Sequence, residues 1–368
     1  MLSLTACQSS DETTAIEPPI LNRIPIVSLC AGTTTAEDCQ WRSVRKVAWM
    51  ENGQIAVLDG PHDIHVFSST GQPLGPLGRT GDGPGEFRFI ADLRLSASPA
   101  FIALDVRHFR VEAFDAARRV VSSIPVQIRP LASGTKLSAK SIAYLEVDPA
   151  DSLGSAVPAH VDFLAFDSTQ PPRRVAFTSR AQRRTGSEFQ SMPRPFAPEV
   201  LWDINSNGEL AVGYGDAEEV VVFDTLGQLR TTIRGHWPAA RVSTAQRDSA
   251  ATALMNPGGR PSASAAYTER ARQLVAQLPK FLPRVQEMHL TSDGSVWLRR
   301  NMANSSKTLW EYYDRNGHRV GALPLEDGVR LVGVERGRIA LATTDSNGRI
   351  TLHLEQVSVL PVSAPQKP

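Results

Sequence analysis

A repeated unit of two short strands constrains the fold of this 368-residue chain more than any other feature. Each copy opens with a polar turn and an alternating strand, then passes through an Asp or its equivalent into a second strand that ends in an aromatic residue. The first strand recurs at residues 53–57, 100–104, 208–212, 294–298 and 337–341, with a degenerate copy at 141–144. The closing aromatics are Phe67, Phe114, Phe166, Phe223 and Tyr313, and a blurred sixth copy ends near Leu352.

The spacing of these copies predicts the fold class. Successive closing aromatics are 47, 52, 57 and 90 residues apart, so the last interval holds more than one repeat. Six copies of a unit with several short strands fit an all-β, six-bladed β-propeller, in which each small sheet covers its faces with its neighbours. A two-sheet sandwich or a parallel solenoid is the alternative, and it accounts less well for the constant order of turns, strands and aromatics.

The surplus residues of the long interval have a composition of their own. Between residues 243 and 280 the chain loses β-branched residues and becomes rich in Ala and Arg. Apolar residues recur there at helical spacing, namely Tyr267, Ala271, Leu274, Val275 and Leu278. Ser243 and Gln246 have the spacing of a capping box, and the Pro-Gly-rich stretch 257–261 would divide the segment in two. We therefore expect a helical hairpin inserted between blades four and five.

Two segments resemble the NHL-repeat propellers. The stretch LGRTGDGPGEF, residues 77–87, is similar to the Gly-rich segment that leads into the next innermost strand in that family. The stretch DVRHFRVEAF, residues 105–114, resembles the family's Asp…Arg-Val…Phe pattern. The detailed resemblance covers residues 44–120 and implies a divergent bacterial six-bladed propeller. It implies no single activity, because propellers host binding, scaffolding and catalysis.

The resemblance also implies how the ring is closed. Such rings usually complete their last blade with a strand from the other end of the chain. Ile20–Leu29 is the natural candidate for that strand, and Val357–Leu360 competes for the role.

The N-terminus suggests an exported protein. Leu4-Thr5-Ala6-Cys7 resembles a bacterial lipobox, in which Cys7 would carry the lipid, and the polar run that follows fits a flexible tether. The alternative is a disordered cytoplasmic N-terminus with an idle thiol. We expect residues 1–19 to be a truncated signal and tether, 20–362 the propeller, and 363–368 a disordered tail.

The other two cysteines, Cys30 and Cys39, flank a small polar loop. Such a pair suits a disulfide in an exported protein, where it would stabilise the fold by about 2–3 kcal/mol. A metal site is the less favoured use, because no His or acidic residue stands at zinc-finger spacing around the pair. Together with Cys7, this pair predicts a cell-envelope location, lipid-anchored and facing the periplasm or the cell surface.

The charge balance narrows the choice of partners. The chain has 39 Lys and Arg residues against 38 Asp and Glu residues, which gives a net charge of +1. That balance provides no strong field for nucleic acid or for an anionic membrane surface. We therefore expect no nucleic-acid partner and membrane contact only through a lipid anchor. We also expect a monomer that binds a protein, peptide or glycan ligand.

The sequence lacks the common catalytic motifs. It contains no Gly-x-Ser-x-Gly, His-Glu-x-x-His or Ca²⁺-loop pattern. The Gly-rich stretch 78–85 does not end in the Lys-Ser/Thr of a phosphate loop, and Pro84 removes one backbone donor. A turn between blades is the favoured interpretation of that stretch.

Aligning the innermost strands on the repeat brings charged residues to one strand face. They occupy two positions two residues apart: Lys46, Asp92 and Glu287 at the first, and Arg94, Asp203 and His289 at the second. Charges near the axis are costly unless they meet water or one another, so a salt-bridged, hydrated channel is the favoured interpretation. The alternative is that Asp92, Asp203 and Glu287 hold a divalent cation such as Ca²⁺, which would resemble the axial site of metal-dependent six-bladed lactonases.

These observations lead to a functional hypothesis. The leading one is a non-enzymatic cell-envelope binding or scaffold protein, with ligand-face candidates Lys46, Arg94, His289 and Trp237. Trp237 lies in a loop before the helical segment, where it would either contact a ligand or anchor the insert to the ring. The alternative function is a metal-assisted, lactonase-like hydrolase or lyase that uses the axial carboxylates.

Overall fold

The structure, a computed structural model, covers most of the expected propeller. It describes residues 19–29, 40–50, 52–95, 101–126, 134–148, 156–166, 172–180, 194–260, 264–301 and 307–359. The lipidation candidate Cys7, the disulfide candidates Cys30 and Cys39, and the tail 363–368 lie outside these residues.

The described chain forms six four-stranded antiparallel sheets, which confirms the all-β, six-bladed propeller. Strand β1 (Leu21–Leu29) precedes the first blade, which is β2 (Val44–Trp49), β3 (Ile55–Asp59), β4 (Asp63–Phe67) and β5 (Pro73–Pro76). Two short strands follow, β6 (Arg79–Thr80) and β7 (Glu86–Phe87). Blade two is β8 (Ile90–Leu95), β9 (Phe101–Asp105), β10 (Arg110–Phe114) and β11 (Val120–Pro125). Blade three is β12 (Gly134–Leu137), β13 (Ser141–Val147), β14 (Ala156–Ala165) and β15 (Arg173–Arg180).

The second half of the ring continues in the same way. Blade four is β16 (Val200–Ile204), β17 (Leu210–Tyr214), β18 (Glu219–Phe223) and β19 (Leu229–Arg234). Helices α1 (Thr244–Met255) and α2 (Ala265–Ala276) follow, and blade five is β20 (Glu287–Leu290), β21 (Val296–Asn301), β22 (Thr308–Tyr313) and β23 (Arg319–Leu325). Blade six is β24 (Val329–Glu335), β25 (Arg338–Thr344) and β26 (Ile350–Val359), with β1 as its fourth strand. The two strands of the sequence repeat are therefore the second and third strands of each blade.

Six hydrophobic clusters fill the spaces between neighbouring blades. Strand β25 shows how one blade serves two clusters, because alternate side chains point to opposite faces of a sheet. Ile339 and Leu341 pack with Trp297 of blade five, whereas Ala340 packs with Val57 of blade one. The period-two apolar pattern in the sequence thus supplies both walls of each blade.

In the first two blades, the Asp of the repeat binds the backbone of the segment that leads into the innermost strand. The Asp59 carboxylate accepts hydrogen bonds from the backbone N–H groups of Arg42 (2.9 Å) and Ser43 (2.6 Å), just before β2. Asp105 accepts the equivalent bonds from Arg88 (2.7 Å) and Phe89 (3.2 Å), just before β8. Both carboxylates are buried, so each one satisfies backbone donors that would otherwise be costly.

The Gly-rich stretch 78–85 is a turn between blades, as predicted. Strands β6 and β7 pair in parallel across it, and the Glu86 carboxylate accepts hydrogen bonds from the Gly83 N–H (2.8 Å) and from Arg79 Nε (2.5 Å). Gly78 has a φ of +75°, and a Cβ there would lie 2.4 Å from the Gly85 carbonyl oxygen. The Glu86 carboxylate therefore occupies the Gly83 N–H, a backbone donor of the kind that would bind a phosphate in a phosphate loop.

The helical insert follows blade four and precedes blade five, as predicted. Ser243 Oγ accepts the Gln246 N–H (3.2 Å) and Gln246 Oε1 accepts the Ser243 N–H (2.9 Å), so the capping box is confirmed. Leu254, Ala271 and Leu278 form the buried centre of the helix pair. Among the described residues, no helix combines the length and the apolar character needed to span a bilayer.

The two faces of the ring differ. Because the strands of a blade alternate in direction, a fourth strand ends at the face where the next innermost strand begins. The insert lies between such strands, β19 and β20, so its base is at that face, called here the insert face. The turns that join first and second strands lie on the opposite face.

Strand β1 closes the ring. It pairs antiparallel with β26 from Leu21 opposite Val359 to Leu29 opposite Leu352, and Arg23 donates to the Glu355 carboxylate at 2.5 and 2.7 Å. The predicted closure by the N-terminal strand is confirmed. Val357 is paired within β26 itself and supplies no competing strand.

We expect Leu29→Ala to lower the free energy of unfolding by about 2–4 kcal/mol, because the side chain is fully buried between blades six and one. Ile26→Ala on the same strand is the control, since Ile26 is 49% exposed and should change stability by less than about 0.5 kcal/mol. Urea unfolding followed by tryptophan fluorescence measures both. Equal small effects would show that β1 is not needed to close the ring.

Candidate functional site

Ionised side chains cross the centre of the ring and connect its innermost strands. We call Lys46, Asp92, Arg94, Lys136 and Asp203 the axial ion network. The buried Asp92 carboxylate accepts Lys46 Nζ at 2.5 Å and Arg94 Nε at 3.1 Å. The buried Asp203 carboxylate accepts Arg94 Nη2 at 2.8 Å and Lys136 Nζ at 3.0 Å. The network therefore joins blades one, two, three and four.

Each of the two aspartates also bonds to the backbone of the next blade. Asp92 on β8 accepts the Leu137 N–H of β12 at 3.0 Å, and Asp203 on β16 accepts the Leu290 N–H of β20 at 2.9 Å. Neighbouring blades do not share a sheet, so these bonds satisfy N–H groups on otherwise unpaired inner edges. The salt-bridged channel favoured by the sequence thus has a definite geometry.

The electrostatics keep both carboxylates ionised. Burial alone would raise the pKa of Asp92, but Arg94, Lys46 and Lys136 outweigh burial and hold this pKa well below its usual range. Burial is likewise outweighed at Asp203, where Lys136 and Arg94 lower the pKa. Burial disfavours the charged form of Arg94 too, yet Asp92 and Asp203 raise its pKa. Each ion is thus stabilised by the others.

These residues do not fit the Ca²⁺ site that the sequence suggested as an alternative. A divalent cation needs free carboxylate oxygens, whereas those of Asp92 and Asp203 accept hydrogen bonds from three cationic side chains. Glu287 pairs instead with His289 Nε2 at 3.2 Å and Arg299 Nη1 at 3.4 Å, and among the described residues it forms no group of potential metal ligands with Asp92 and Asp203. The three proposed ligands are therefore not brought together.

One other group of ligand-type side chains occurs within the described ranges. Potential ligand atoms of Glu146, His160 and Asp162 in blade three lie within 4.8 Å of one another. Arg174 donates to both oxygens of Asp162, at 2.6 and 2.8 Å, and so already supplies the positive charge that a cation would supply.

Trp237 was a candidate for ligand contact, and this prediction is wrong. The side chain is fully buried, and its Nε1 donates to Glu311 Oε2 at 2.9 Å. Tyr313 donates to the same oxygen at 2.6 Å, and Arg300 pairs with the other oxygen. The competing interpretation is confirmed, since Trp237 anchors the start of the insert to blade five.

A cavity of about 480 Å³ opens at the axis on the face opposite the insert, and all six blades line it. We call it the axial pocket. Its polar lining includes Lys46, Arg94, Lys140, Asn207, Ser292, Arg336 and Arg338, and its apolar lining includes Trp49 and Leu93. The ligand-face candidates Lys46 and Arg94 lie in it. His289 does not line it and stacks on Trp310 with ring centroids 5.3 Å apart.

The sequence reasoning missed Lys136, Lys140, Arg336 and Arg338. Lys136 lies on β12, an innermost strand of four residues that precedes the degenerate copy of the repeat at 141–144. Lys140, Arg336 and Arg338 lie in or beside the turns between first and second strands. Aligning those turns across blades would have found the last three.

Comparison with known proteins agrees with the fold. The sequence matches the DUF5128 family, described as a 6-bladed beta-propeller, over residues 33–130. That segment includes blades one and two, where the resemblance to propellers was most detailed. No curated protein matches the chain.

One solved structure extends the agreement to the whole ring, and two others are weaker similarities. A member of the DUF4221 family from Bacteroides vulgatus has a TM-score of 0.53 at 10% identity, and the alignment covers 94% of this chain and 100% of that one. A putative exported protein from Bacteroides fragilis has a TM-score of 0.49 at 12% identity, with coverage of 93% and 95%. A catalytically inactive virginiamycin B lyase from Staphylococcus aureus has a TM-score of 0.43 at 9% identity, with coverage of 91% and 98%. At such identities the likeness concerns the fold alone.

We expect Trp237→Phe to lower the free energy of unfolding by about 1–3 kcal/mol, because it removes one donor from the buried Glu311 carboxylate. Phe281→Leu, at the exposed base of the insert, is the control and should change stability by less than about 0.5 kcal/mol. Guanidinium unfolding compares the two. A Trp237→Phe variant as stable as the parent protein would contradict the anchoring role.

Proposed function

We propose that this protein is a ligand-binding β-propeller of the bacterial cell envelope that takes a small ligand in the axial pocket. The observation that carries the proposal is the convergence of all six blades on one cavity of about 480 Å³. Ligand sites of this size, with an apolar wall and a few fixed polar groups, are typical of small-molecule binding. In this pocket the half-buried Val334 supplies apolar surface, and Asn207 and Ser292 are among the polar groups.

The axial aspartates support binding rather than acid–base catalysis. A general base works best when its pKa lies near the operating pH. The pKa values of Asp92 and Asp203 are held far below that range, and their oxygens are committed to neighbouring strands and cations. Their role in the proposal is to hold Lys46 and Arg94 in place beside the ligand.

The cell-envelope part of the proposal rests on the sequence. Leu4-Thr5-Ala6-Cys7 resembles a lipobox, and Cys30 and Cys39 suit a disulfide in an oxidising compartment. A lipid on Cys7 would hold the propeller at a membrane through the polar tether before β1.

Ligand binding in the axial pocket can be tested by filling the pocket with a large side chain. Ala139 lines the axial pocket between blades three and four, so Ala139→Trp should block it, and Ser206→Trp serves as a second blocking variant. Leu226→Trp is the control, because Leu226 is 75% exposed at the turn between β18 and β19, on the same face. Native mass spectrometry measures small molecules retained from a filtered bacterial extract.

We expect the parent protein and Leu226→Trp to retain the same molecule and both blocking variants to lose it, with unchanged circular dichroism. Retention by all four proteins would place the ligand elsewhere. Retention by none of them would contradict small-molecule binding.

A further inference from the structure

Cations outnumber carboxylates around the axial pocket. Within the part of the chain that the structure describes, the lining contains the carboxylate Glu335 and five cationic side chains: Lys46, Arg94, Lys140, Arg336 and Arg338. Directly behind this lining, the axial ion network adds Lys136, Asp92 and Asp203. Among these described groups, six cations thus face three carboxylates, which is an excess of three positive charges. Field lines from such charges are concentrated in a cleft with low-dielectric walls.

Several of these cations keep donors free for a ligand. Lys46 uses one of its three N–H donors on Asp92. Lys140 is exposed at the turn between β12 and β13, and neither it nor Arg338 forms an ion pair with another described residue. Surface lysines are common, but here Lys140 of blade three and Arg338 of blade six line the same cavity.

Arg338 is the most informative of them. Its guanidinium carbon lies over the Trp49 ring, 5.4 Å from the ring centroid, in a cation–π contact that uses no N–H donor on a carboxylate. Burial lowers the pKa of Arg338, and the nearby Arg336 acts in the same direction, although Glu335 opposes them. A bound anion would offset that unfavourable environment. The Trp49 contact orients the guanidinium before any ligand arrives, which reduces the ordering cost of binding.

We infer that the axial pocket binds a small organic anion with two or more negative charges, held by Arg338, Lys140 and Lys46. This inference rests on the proposed function, because it assigns a charge to the ligand that the pocket takes. Arg favours carboxylate and phosphate groups, because its planar guanidinium can bind two of their oxygens through two N–H donors. Val334, which lines the pocket and is half-buried, offers apolar surface to the carbon skeleton of such a molecule.

Binding should depend on pH through Lys46. Charged groups face it from β8, from β16 and from blade six: Asp92, Arg94, Asp203, Glu335 and Arg338. Burial and the charge of Arg94 lower the pKa of Lys46 to about 8, although Asp92 acts in the opposite direction. An anion binds the protonated amine more tightly, so affinity should fall as the pH rises through about 8 and Lys46 loses its proton. Lys46→Arg should remove that fall, since Arg stays charged.

The experiment uses isothermal titration calorimetry on the full chain with citrate, glucose 6-phosphate and glucose as probes. We expect both anions to bind and glucose to show no measurable binding. Arg338→Gln and Lys140→Gln should each weaken anion binding by about tenfold, the usual effect of losing one charged contact. Arg349→Gln is the control, because Arg349 is exposed at the turn between β25 and β26, on the insert face and away from the pocket, and should leave affinity unchanged.

The outcomes separate this inference from the proposed function. If glucose binds as tightly as glucose 6-phosphate and Ala139→Trp abolishes both, the pocket takes ligands but the anion preference is overturned. Equal binding of anions to Arg338→Gln, Lys140→Gln and Arg349→Gln also overturns it, since the contact would then be non-specific. If neither anion binds at millimolar concentration, the inference fails, and the extract experiment decides whether the pocket binds anything else.

Discussion

The axial ion network is the interaction on which the centre of this ring depends. Each blade satisfies its own backbone through its four-stranded sheet, but the inner edges of neighbouring sheets share no ladder. Asp92 and Asp203 connect these inner edges in two ways. Each carboxylate accepts a hydrogen bond from a backbone N–H of the next innermost strand, and each also pairs with cations from other blades. Burying two carboxylates and three cations has a large desolvation cost, which is offset only when all of these groups are hydrogen-bonded to one another.

The same network shapes the chemistry of the pocket beside it. Because Lys46, Arg94 and Lys136 outnumber Asp92 and Asp203, the network carries an excess positive charge into the pocket lining. The proposed preference for an organic anion is therefore a consequence of how the ring is held together. The helical insert leaves this region free, since its base lies at the other face and Trp237 fixes it to blade five.

Much of the fold could be predicted because its signals are local. The alternating strands, the Asp at the end of the second strand and the Ser243–Gln246 capping box each act over a few residues, and each was found in the structure as expected. The resemblance to propellers supplied the closure by β1, which no local pattern encodes.

The site was harder to predict because its contacts join distant parts of the chain. Asp203 pairs with Arg94, which is 109 residues away, and Trp237 bonds to Glu311, 74 residues away. Aligning the strands placed Asp92, Arg94 and Asp203 near the axis, but it could not show which charges pair. The structure does not describe Cys7, Cys30 or Cys39, so the lipid anchor and the disulfide stay predictions.

The most direct test of the central claim is the acid stability of Asp203→Asn. In the parent protein the folded-state pKa of Asp203 is depressed, so its stabilisation is present above the unfolded-state pKa of about 4 and is lost as the pH falls below it. We predict that Asp203→Asn lowers the free energy of unfolding by about 3–5 kcal/mol at neutral pH and loses less stability than the parent below pH ~4. Asp345→Asn, at an exposed turn, should change neither quantity. An Asp203→Asn protein with the parent's stability and acid response would contradict the account.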